Sequence, residues 1–529
     1  MAKHLEISVR FPPGGGAPPE QASATPAEPE AAGGTPATGT APDDELWRGL
    51  ARECRAIIAR NRSTLFFVNS RRHAEKVARF INEDAGRAIA WAHHGSLSRE
   101  MRLVVEQRLK RGELAAIVAT SSLELGIDIG ALDEVVLVGS PFTVGSAVQR
   151  LGRSGHRVGA ASRAVLFPLH GRDLVDAAVL ARCVVGGDIE EAAPVVLPLD
   201  VLAQVMVSMT VTETWRVEDL YDAVRASLPF QSLPRQQFDL VLRMLAGRYA
   251  DTRLRELEPV VAIDAIGGTV SARAGAARRL YANGGTIPDR GYYGLRAADS
   301  GARIGELDEE FVWERSVGDA FVFGTQGWRI LRITHQDVEV VPVEGRSGMS
   351  PFWKAEEVNR RPHLALRVAS ALESWNDRLG DPALPRELVR ENRLDPGAAD
   401  ALLAFLRRQR EATGRDLPHR HHVLVEHVQD RLGGPEGRTV VVHTLWGGAV
   451  NKPFGLAMRA AWRERFGWAP ELFQDNDALL LFLPADVEAR ELLGLVTPEN
   501  LERFLRAGLE ASAFFGARFR ESAGRALLL

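Results

Sequence analysis

Lysine is scarce in this chain. There are five, Lys3, Lys76, Lys110, Lys354 and Lys452, against sixty arginines in 529 residues, and none follows a glycine. A G-x-x-x-x-G-K-[ST] phosphate loop needs a lysine that reaches the β- and γ-phosphates, so the sequence holds no such loop. No acidic D-E-x-[DH] box follows an apolar strand either, which leaves no acidic pair for Mg2+ and an attacking water. Ser23-Ala24-Thr25 imitates a known short motif, but it lies in a Pro/Ala/Gly-rich tract and is read as coincidence. Cysteine is rarer still: Cys54 and Cys183 are far apart and form no C-x-x-C, which argues against a disulfide framework or a thiolate zinc site and fits a reducing cytosol. Met1-Ala2-Lys3-His4 leads into no apolar signal segment, and no apolar run of about 18 residues appears. The expectation is a cytoplasmic protein with no membrane partner. The net charge of -4 supplies no global basic field, so any nucleic-acid contact has to come from local arginine clusters. The arginine excess reflects a GC-rich coding bias more than a preference for phosphate forks.

What is present reads as several domains. Residues 5–10 alternate like a short strand, and then Phe11 to Pro42 is mostly Pro, Gly, Ala, Thr and Glu. Such a tract cannot bury a core, so residues 1–43 are expected to form a flexible leader. From Asp44 strands and helices alternate. Thr64–Val68, Ala88–Ala92, Ala115–Ala119, Val135–Val138 and Ala164–Phe167 read as buried strands separated by amphipathic helices, which implies a parallel sheet over 44–193 with ligands at the carboxyl ends of its strands. Three helices and a short β segment over 194–262 suggest a winged helix. Residues 263–362 have hairpin rhythm and suggest a small β-barrel or curled sheet. Residues 363–529 return to mixed α and β. The expected architecture is an α/β parallel-sheet domain, a winged helix, and a mixed α+β module (263–529) with a barrel-like part.

The chemistry concentrates in Gln149-Arg150-Leu151-Gly152-Arg153-Ser154-Gly155-His156-Arg157. Arg150 and Arg153 are three apart, so on a helix they share a face. A guanidinium there can cross a cleft and neutralise a transferring γ-phosphoryl. The block resembles motif VI of superfamily 2 helicases, and Thr120-Ser121-Ser122-Leu123-Glu124-Leu125-Gly126-Ile127-Asp128 resembles motif V. Together they resemble the second RecA-like domain of a nucleic-acid motor. Downstream, Gly284–Gly291 (Gly-Gly-Thr-Ile-Pro-Asp-Arg-Gly), Gly305–Val312 and Pro351-Phe352-Trp353-Lys354 extend the resemblance to Lhr, the large helicase-related proteins, from about residue 44 onward.

That resemblance implies an ATP-dependent translocase that unwinds DNA 3′ to 5′ in repair. Its partner is single-stranded DNA, DNA with a 3′ single-stranded tail, or an RNA:DNA hybrid. It implies ATP and Mg2+ held mostly by a first RecA-like domain that this sequence lacks, supplied by another chain if the gene is split. The closing Ala526-Leu527-Leu528-Leu529 reads like the interior of the family's last core domain, and truncation is the expectation. In the family Arg150 and Arg153 correspond to the sensors of the γ-phosphate, Gln149 and His156 to loop-orienting residues, and Gly126 and Asp128 to the residues at the nucleotide ribose. Asn69, Ser70, Arg71 and Arg72 resemble motif IV, a backbone contact. Thr120, Ser121 and Ser122 are short hydroxyl donors suited to phosphodiester oxygens. Ile287 and Trp353 correspond to single-strand contacts, and either could instead be a packing residue. Trp446 is read as core. His93-His94 is not read as a metal site, because adjacent residues share no face and no carboxylate completes the set. Two functions stay open: a helicase polypeptide needing a first RecA-like domain, or a catalytically inactive DNA-binding regulator on the same scaffold.

Overall fold

The computed structural model describes residues 5–12, 42–95, 97, 99–125, 132–155, 161–248, 258–286, 292–308, 311–312, 315, 317–318, 320–323, 326–334, 336–343, 359–428, 438–483, 488–510 and 513–528. They form two compact units, one of residues 1–191 with 358–497 and one of residues 192–357 with 498–529.

The first unit is built on a six-stranded, wholly parallel sheet in the order β1-β6-β5-β2-β4-β3. The strands are β1 (Leu5–Val9), β2 (Thr64–Val68), β3 (Ala90–His93), β4 (Ala116–Ala119), β5 (Glu134–Val138) and β6 (Ser162–Phe167). Strand β2 shows why both faces are covered. All five of its residues are buried; Leu65 and Phe67 enter one core while Phe66 and Val68 enter the other. Alternation on a doubly covered strand calls for apolar residues on both faces, as at Leu65 to Val68. Each such side chain contributes about 1.5–3 kcal/mol of burial. Helices α1 (Pro42–Arg60) and α2 (Arg71–Ala85) cover one face through Leu50, Cys54, Ile57, Val77 and Ile81. Helices α3 (Arg99–Lys110), α4 (Val144–Leu151) and α5 (Gly171–Gly186) cover the other.

Two placements depart from the sequence-based division. The strand expected over 5–10 is not leader: β1 pairs in parallel with β6 from Leu5↔Ser162 to Val9↔Leu166 and forms the sheet edge. The backbone of Val9 also pairs with Arg393 and Asp395. An edge strand needs a partner for its backbone groups, and the sheet supplies one regardless of the tract that follows. The second departure is that residues 363–529 do not stay together. Helices α10 (Pro362–Asp377), α11 (Leu384–Glu391) and α12 (Pro396–Thr413) join the core beneath α5 through Leu364, Val368, Leu388, Leu402 and Leu406. Beyond them lies an antiparallel sheet, β15-β16-β18-β17, with Leu424–Val428 as β15, Arg438–His443 as β16, Glu471–Gln474 as β17 and Ala478–Leu483 as β18; α13 (Gly448–Phe466) packs against it.

A charged lattice joins these parts. Arg360 is 1 % exposed and donates from Nη1 to both oxygens of Asp176 on α5, at 3.0 Å each. Its Nη2 reaches Asp477 and the Asn476 carbonyl. Arg172 on α5 closes the ring to Asp477 at 2.6 Å and to Asp176 at 3.1 Å.

The second unit carries the winged helix: α6 (Leu199–Thr212), β7 (Trp215–Arg216), α7 (Val217–Arg225), α8 (Arg235–Leu245), β8 (Val261–Asp264) and β9 (Thr269–Ala272), the strands ordered β7-β9-β8. Its core holds Leu202, Met206, Leu220, Phe238 and Val270. After α9 (Ala276–Asn283) comes a five-stranded mixed sheet in the order β11-β10-β14-β13-β12. Its strands are β10 (Tyr292–Ala297), β11 (Arg303–Asp308), β12 (Ala320–Phe323), β13 (Gln326–Ile333) and β14 (Asp337–Val343), closed over Leu295, Phe321, Ile330 and Val340. Helix α14 (Ala489–Leu493) lies in the first unit, whereas α15 (Pro498–Glu510) and α16 (Ala513–Arg525) lie in the second. Ala526 and Leu527 are buried in the winged-helix core, and Arg525 pairs with Asp200 on α6 at 2.7 Å.

The lattice predicts an acid dependence. Desolvation of the Asp477 carboxylate is outweighed by Arg172 and Arg360, which hold its pKa at about 2, below the usual carboxylate range. A depressed carboxylate stabilises the fold above its unfolded pKa, and the contribution is lost as pH falls through the folded value. Asp477→Asn should lower the unfolding free energy at neutral pH by about 3 kcal/mol, because the buried Arg360 and the half-buried Arg172 lose a counter-charge. It should also flatten the loss of stability between the two pKa values, read by urea titration across that range. An unchanged midpoint would refute the bridging role.

Candidate functional site

All six parallel strands end at one edge, and the loops leaving β2, β4 and β5 meet there. After β2 come Asn69 and Ser70. Ser70 is the N-cap of α2, with extended backbone and a hydroxyl accepting from the His73 amide at 3.1 Å. After β4 come Thr120 and a single 3-10 turn over Ser121–Leu123, and then Glu124. Helix α4 starts where Thr143 accepts from the Ser146 amide at 3.1 Å, and where the Glu190 carboxylate takes the Val144 and Gly145 amides at 2.7 and 2.8 Å. With its first turn held twice, α4 presents Val144, Ala147 and Arg150 to the interior and leaves Gln149 exposed.

The arginine pair does not share a helix face as its spacing predicts. The helix stops at Leu151, and Arg153 lies in the turn that follows. Both guanidiniums nevertheless converge on Glu124. Arg150, 8 % exposed at its side chain, donates from Nε to the Glu124 carboxylate at 2.9 Å. Its Nη1 reaches Asn69 Oδ1 at 3.2 Å, and its plane lies 5.3 Å from the Phe67 ring centre. Arg153 donates from Nε and Nη2 to the Glu124 carbonyl at 3.1 and 2.6 Å. Asn69 donates in turn to the Ser140 carbonyl at 2.8 Å. Loops that the sequence assigned to three separate motifs are thus cross-linked through one carboxylate and one amide. The turn beyond Arg153 requires glycine: Gly155 has φ +67, and a Cβ there would lie 2.6 Å from the Ala161 carbonyl oxygen.

The structure sorts the other expected residues. Asn69 uses both ends of its amide inside the protein, so its role at this edge is to bracket Arg150. Arg71 and Arg72 are exposed on the first turn of α2, and Ser121 is exposed beside the half-buried Thr120 and Ser122. Ser122 Oγ lies 2.9 Å from His93 Nδ1, and His93 Nε2 lies 3.1 Å from Glu106. Burial lowers the His93 pKa more than Glu106 raises it, so the ring is neutral. Nε2–H then donates to Glu106, and Ser122 Oγ, beside Nδ1, donates to the His93 carbonyl at 3.2 Å. His94 turns instead to Glu75 at 2.8 Å. Among the described residues no group of three or more His, Cys, Asp or Glu is placed to hold a metal ion. Cys54 and Cys183 are buried thiols whose pKa values burial raises. No helix among the described residues is long and apolar enough to cross a membrane. Trp446 packs edge-on to Phe454, 5.2 Å between ring centres. Gly126, Asp128, His156, Ile287 and Trp353 lie outside the described residues.

Sequence reasoning missed Glu124 and His93. Glu124 stood inside the quoted motif, and the available signal was charge: an arginine drawn into a core needs a carboxylate close by. His93 was considered only as a metal ligand, and nothing local in the sequence ties it to Ser122.

A six-stranded parallel sheet with cross-linked arginines at its carboxyl edge, joined to a winged helix, defines a helicase C-terminal domain with an accessory module. Family models agree along the chain. Residues 49–158 match the helicase conserved C-terminal domain, 182–350 the large helicase-related protein winged helix domain, and 417–529 the DEAD/H associated domain. The chain belongs to the Lhr family of ATP-dependent helicases. It is 37% identical to the Lhr helicase/probable uracil glycosylase of Mycolicibacterium smegmatis over 92% of this chain and 34% of that protein. It is 32% identical to the ATP-dependent helicase Lhr-Core protein 2 of Thermococcus barophilus, over 92% of this chain and 56% of that one. The solved structure of the Mycobacterium smegmatis helicase Lhr bound to single-stranded DNA and AMP-PNP matches with a TM-score of 0.76 at 34% identity, covering 100% of this chain and 61% of that one. The chain thus spans between a third and three fifths of these relatives.

The cross-link is measurable by a double-mutant cycle. Glu124→Ala should destabilise the first unit by about 3 kcal/mol or more, since a buried guanidinium loses its partner. Adding Arg150→Met should recover part of that loss, giving a coupling of about 0.5–3 kcal/mol. Strict additivity of the two single variants would show that the pair does not interact.

Proposed function

We propose that this chain supplies the second RecA-like half and the C-terminal portion of an Lhr-type, ATP-dependent translocase that tracks 3′ to 5′ along single-stranded DNA in repair. A 3′-tailed duplex or an RNA:DNA hybrid would be its working substrate, in the cytoplasm at the nucleoid. A first RecA-like domain, in trans or on a longer polypeptide, would hold ATP and Mg2+. ATP supplies the γ-phosphoryl whose transfer to water drives the motor.

The observation that carries this reading is the convergence of Arg150 and Arg153 on Glu124 at the carboxyl edge of the sheet. Arg153, half-buried and past the end of α4, would reach the γ-phosphate across the cleft, where a fixed cation neutralises developing charge. Arg150, neutralised by Glu124, would hold the loop against β2 and transmit its position to Asn69. Gly126, Asp128 and Gln149 would border the nucleotide. Thr120, Ser121, Ser122, Ser70, Arg71 and Arg72 would follow the DNA backbone, and Ile287 and Trp353 would touch bases.

A second reading draws on the same geometry. Arg150 has a structural task without nucleotide, so its presence suits an inactive DNA-binding scaffold as well. Turnover separates the two. The chain alone should release no phosphate from ATP above background. Mixed with a domain bearing the G-x-x-x-x-G-K-[ST] loop and acidic box, it should hydrolyse ATP when DNA is added, and Arg153→Ala should reduce that rate about 10³-fold or more. No turnover in the mixture, with the domain bound, would favour the scaffold. DNA binding provides a separate measurement: Trp353→Ala should weaken single-strand affinity at fixed salt by about 1–3 kcal/mol if the ring stacks on a base. A lowered melting temperature with normal affinity would make Trp353 a packing residue.

A further inference from the structure

The hairpin between β8 and β9 ends in Asp264-Ala265-Ile266-Gly267-Gly268-Thr269. This tip is held rigidly. One oxygen of Asp264 accepts from the Ile266 and Gly267 amides, both at 3.0 Å. A Cβ on Gly267 would lie 2.5 Å from the other oxygen, so a side chain there would push the capping carboxylate aside. Gly268 has φ +61, and its carbonyl accepts from the Val217 amide at 3.0 Å, which ties the tip to the start of α7. On this fixed turn Ile266 is 101 % exposed, and Ile263, three residues earlier, is 38 % exposed. Single exposed apolar residues are common and need no function. This one differs in its mounting: the turn spends its only carboxylate on its own backbone and leaves a branched apolar side chain at the apex. The cross-strand row at its base adds a charge. Asp264 pairs with Thr269, and Thr269 pairs with Arg216 of β7, whose side chain is exposed. At about 4.8 Å per strand, Arg216 stands within side-chain reach of the tip.

A rigid apolar apex beside an arginine matches the chemistry of a base step next to its phosphate. Apolar side chains pushed against stacked bases unstack them, and an adjacent cation holds the backbone. We propose that the Ile266 tip is a wedge that engages the terminal base pair of a DNA duplex where it meets single strand, with Arg216 on the flanking phosphate. The proposal rests on the reading of this chain as the DNA-handling portion of a motor, and it assigns strand separation to the winged helix.

The test needs no ATP and uses the whole chain. A forked DNA duplex carries 2-aminopurine at the first paired position, and a fluorescent oligo-dT strand reports single-strand binding separately. At saturating protein the 2-aminopurine signal should rise toward that of the same base unpaired. Ile266→Ser should abolish the rise while changing oligo-dT affinity by less than about twofold, as expected of an exposed substitution. Arg216→Ala should weaken fork binding and lower the magnitude of its salt slope by about one. Asp264→Ala, which loosens the turn, should reduce the rise with Ile266 still present. A chain that binds oligo-dT and the fork without any rise overturns the wedge alone, and so does a rise that persists in Ile266→Ser. A chain that binds neither probe overturns the wedge together with the reading on which it rests.

Discussion

One guanidinium organises the first unit. Arg360 is sealed from water and meets Asp176, Asp477 and the Asn476 carbonyl, while Arg172 binds the same two carboxylates. A charge buried this deeply is tolerable only if it is paired, and Asp176 and Asp477 supply the two counter-charges. The arrangement therefore specifies where the C-terminal sheet sits, because moving Asp477 would strand two cations. It also fixes α5, the helix on which α10 and α12 rest. The turn before β18 and the helix after β6 become one rigid part, so a displacement of the sheet edge would be carried to residue 360.

The same electrostatic logic works at smaller scale on the functional edge. Glu124 offers its carboxylate to Arg150 and its carbonyl to Arg153, and Asn69 spans Arg150 and Ser140. The two arginines are thereby distinguished. Arg150 is shielded, neutralised and stacked on Phe67, which suits a strut between loops. Arg153 lies past the helix end, in a turn whose path is set by the left-handed backbone of Gly155. A change at the end of β2 would reach Arg150 through a single hydrogen bond, which gives the edge a short physical route between the loop after β2 and the end of α4.

Much of the parallel-sheet domain was legible in the chain. Strand β2 is readable at Thr64–Val68 because five apolar or β-branched residues stand before a turn at Asn69-Ser70, whereas the capping of α2 by Ser70 is visible only in the structure. The arginine block and its flanking loops were legible because their residue types sit at fixed local spacings. What was not legible lies at long sequence separation. Nothing near Leu5 announces that it pairs with Ser162. Nothing in the 363–529 segment says that its helices divide between two units, or that Arg525 meets Asp200.

Most strands and helices of the parallel-sheet domain, and the absence of a G-x-x-x-x-G-K-[ST] match, can be read from periodicity and local pattern, and the family from its motif blocks. Tertiary structure decided which carboxylate each buried arginine would meet, that Asn69 would turn inward, that His93 would join Ser122, and that Ile266 would stand at the apex of a locked turn. The physical reason is that propensity and amphipathicity act over a few residues along the chain. Charge pairing, burial and exposure are instead set by distances through space, and those exist only once the sheets have closed.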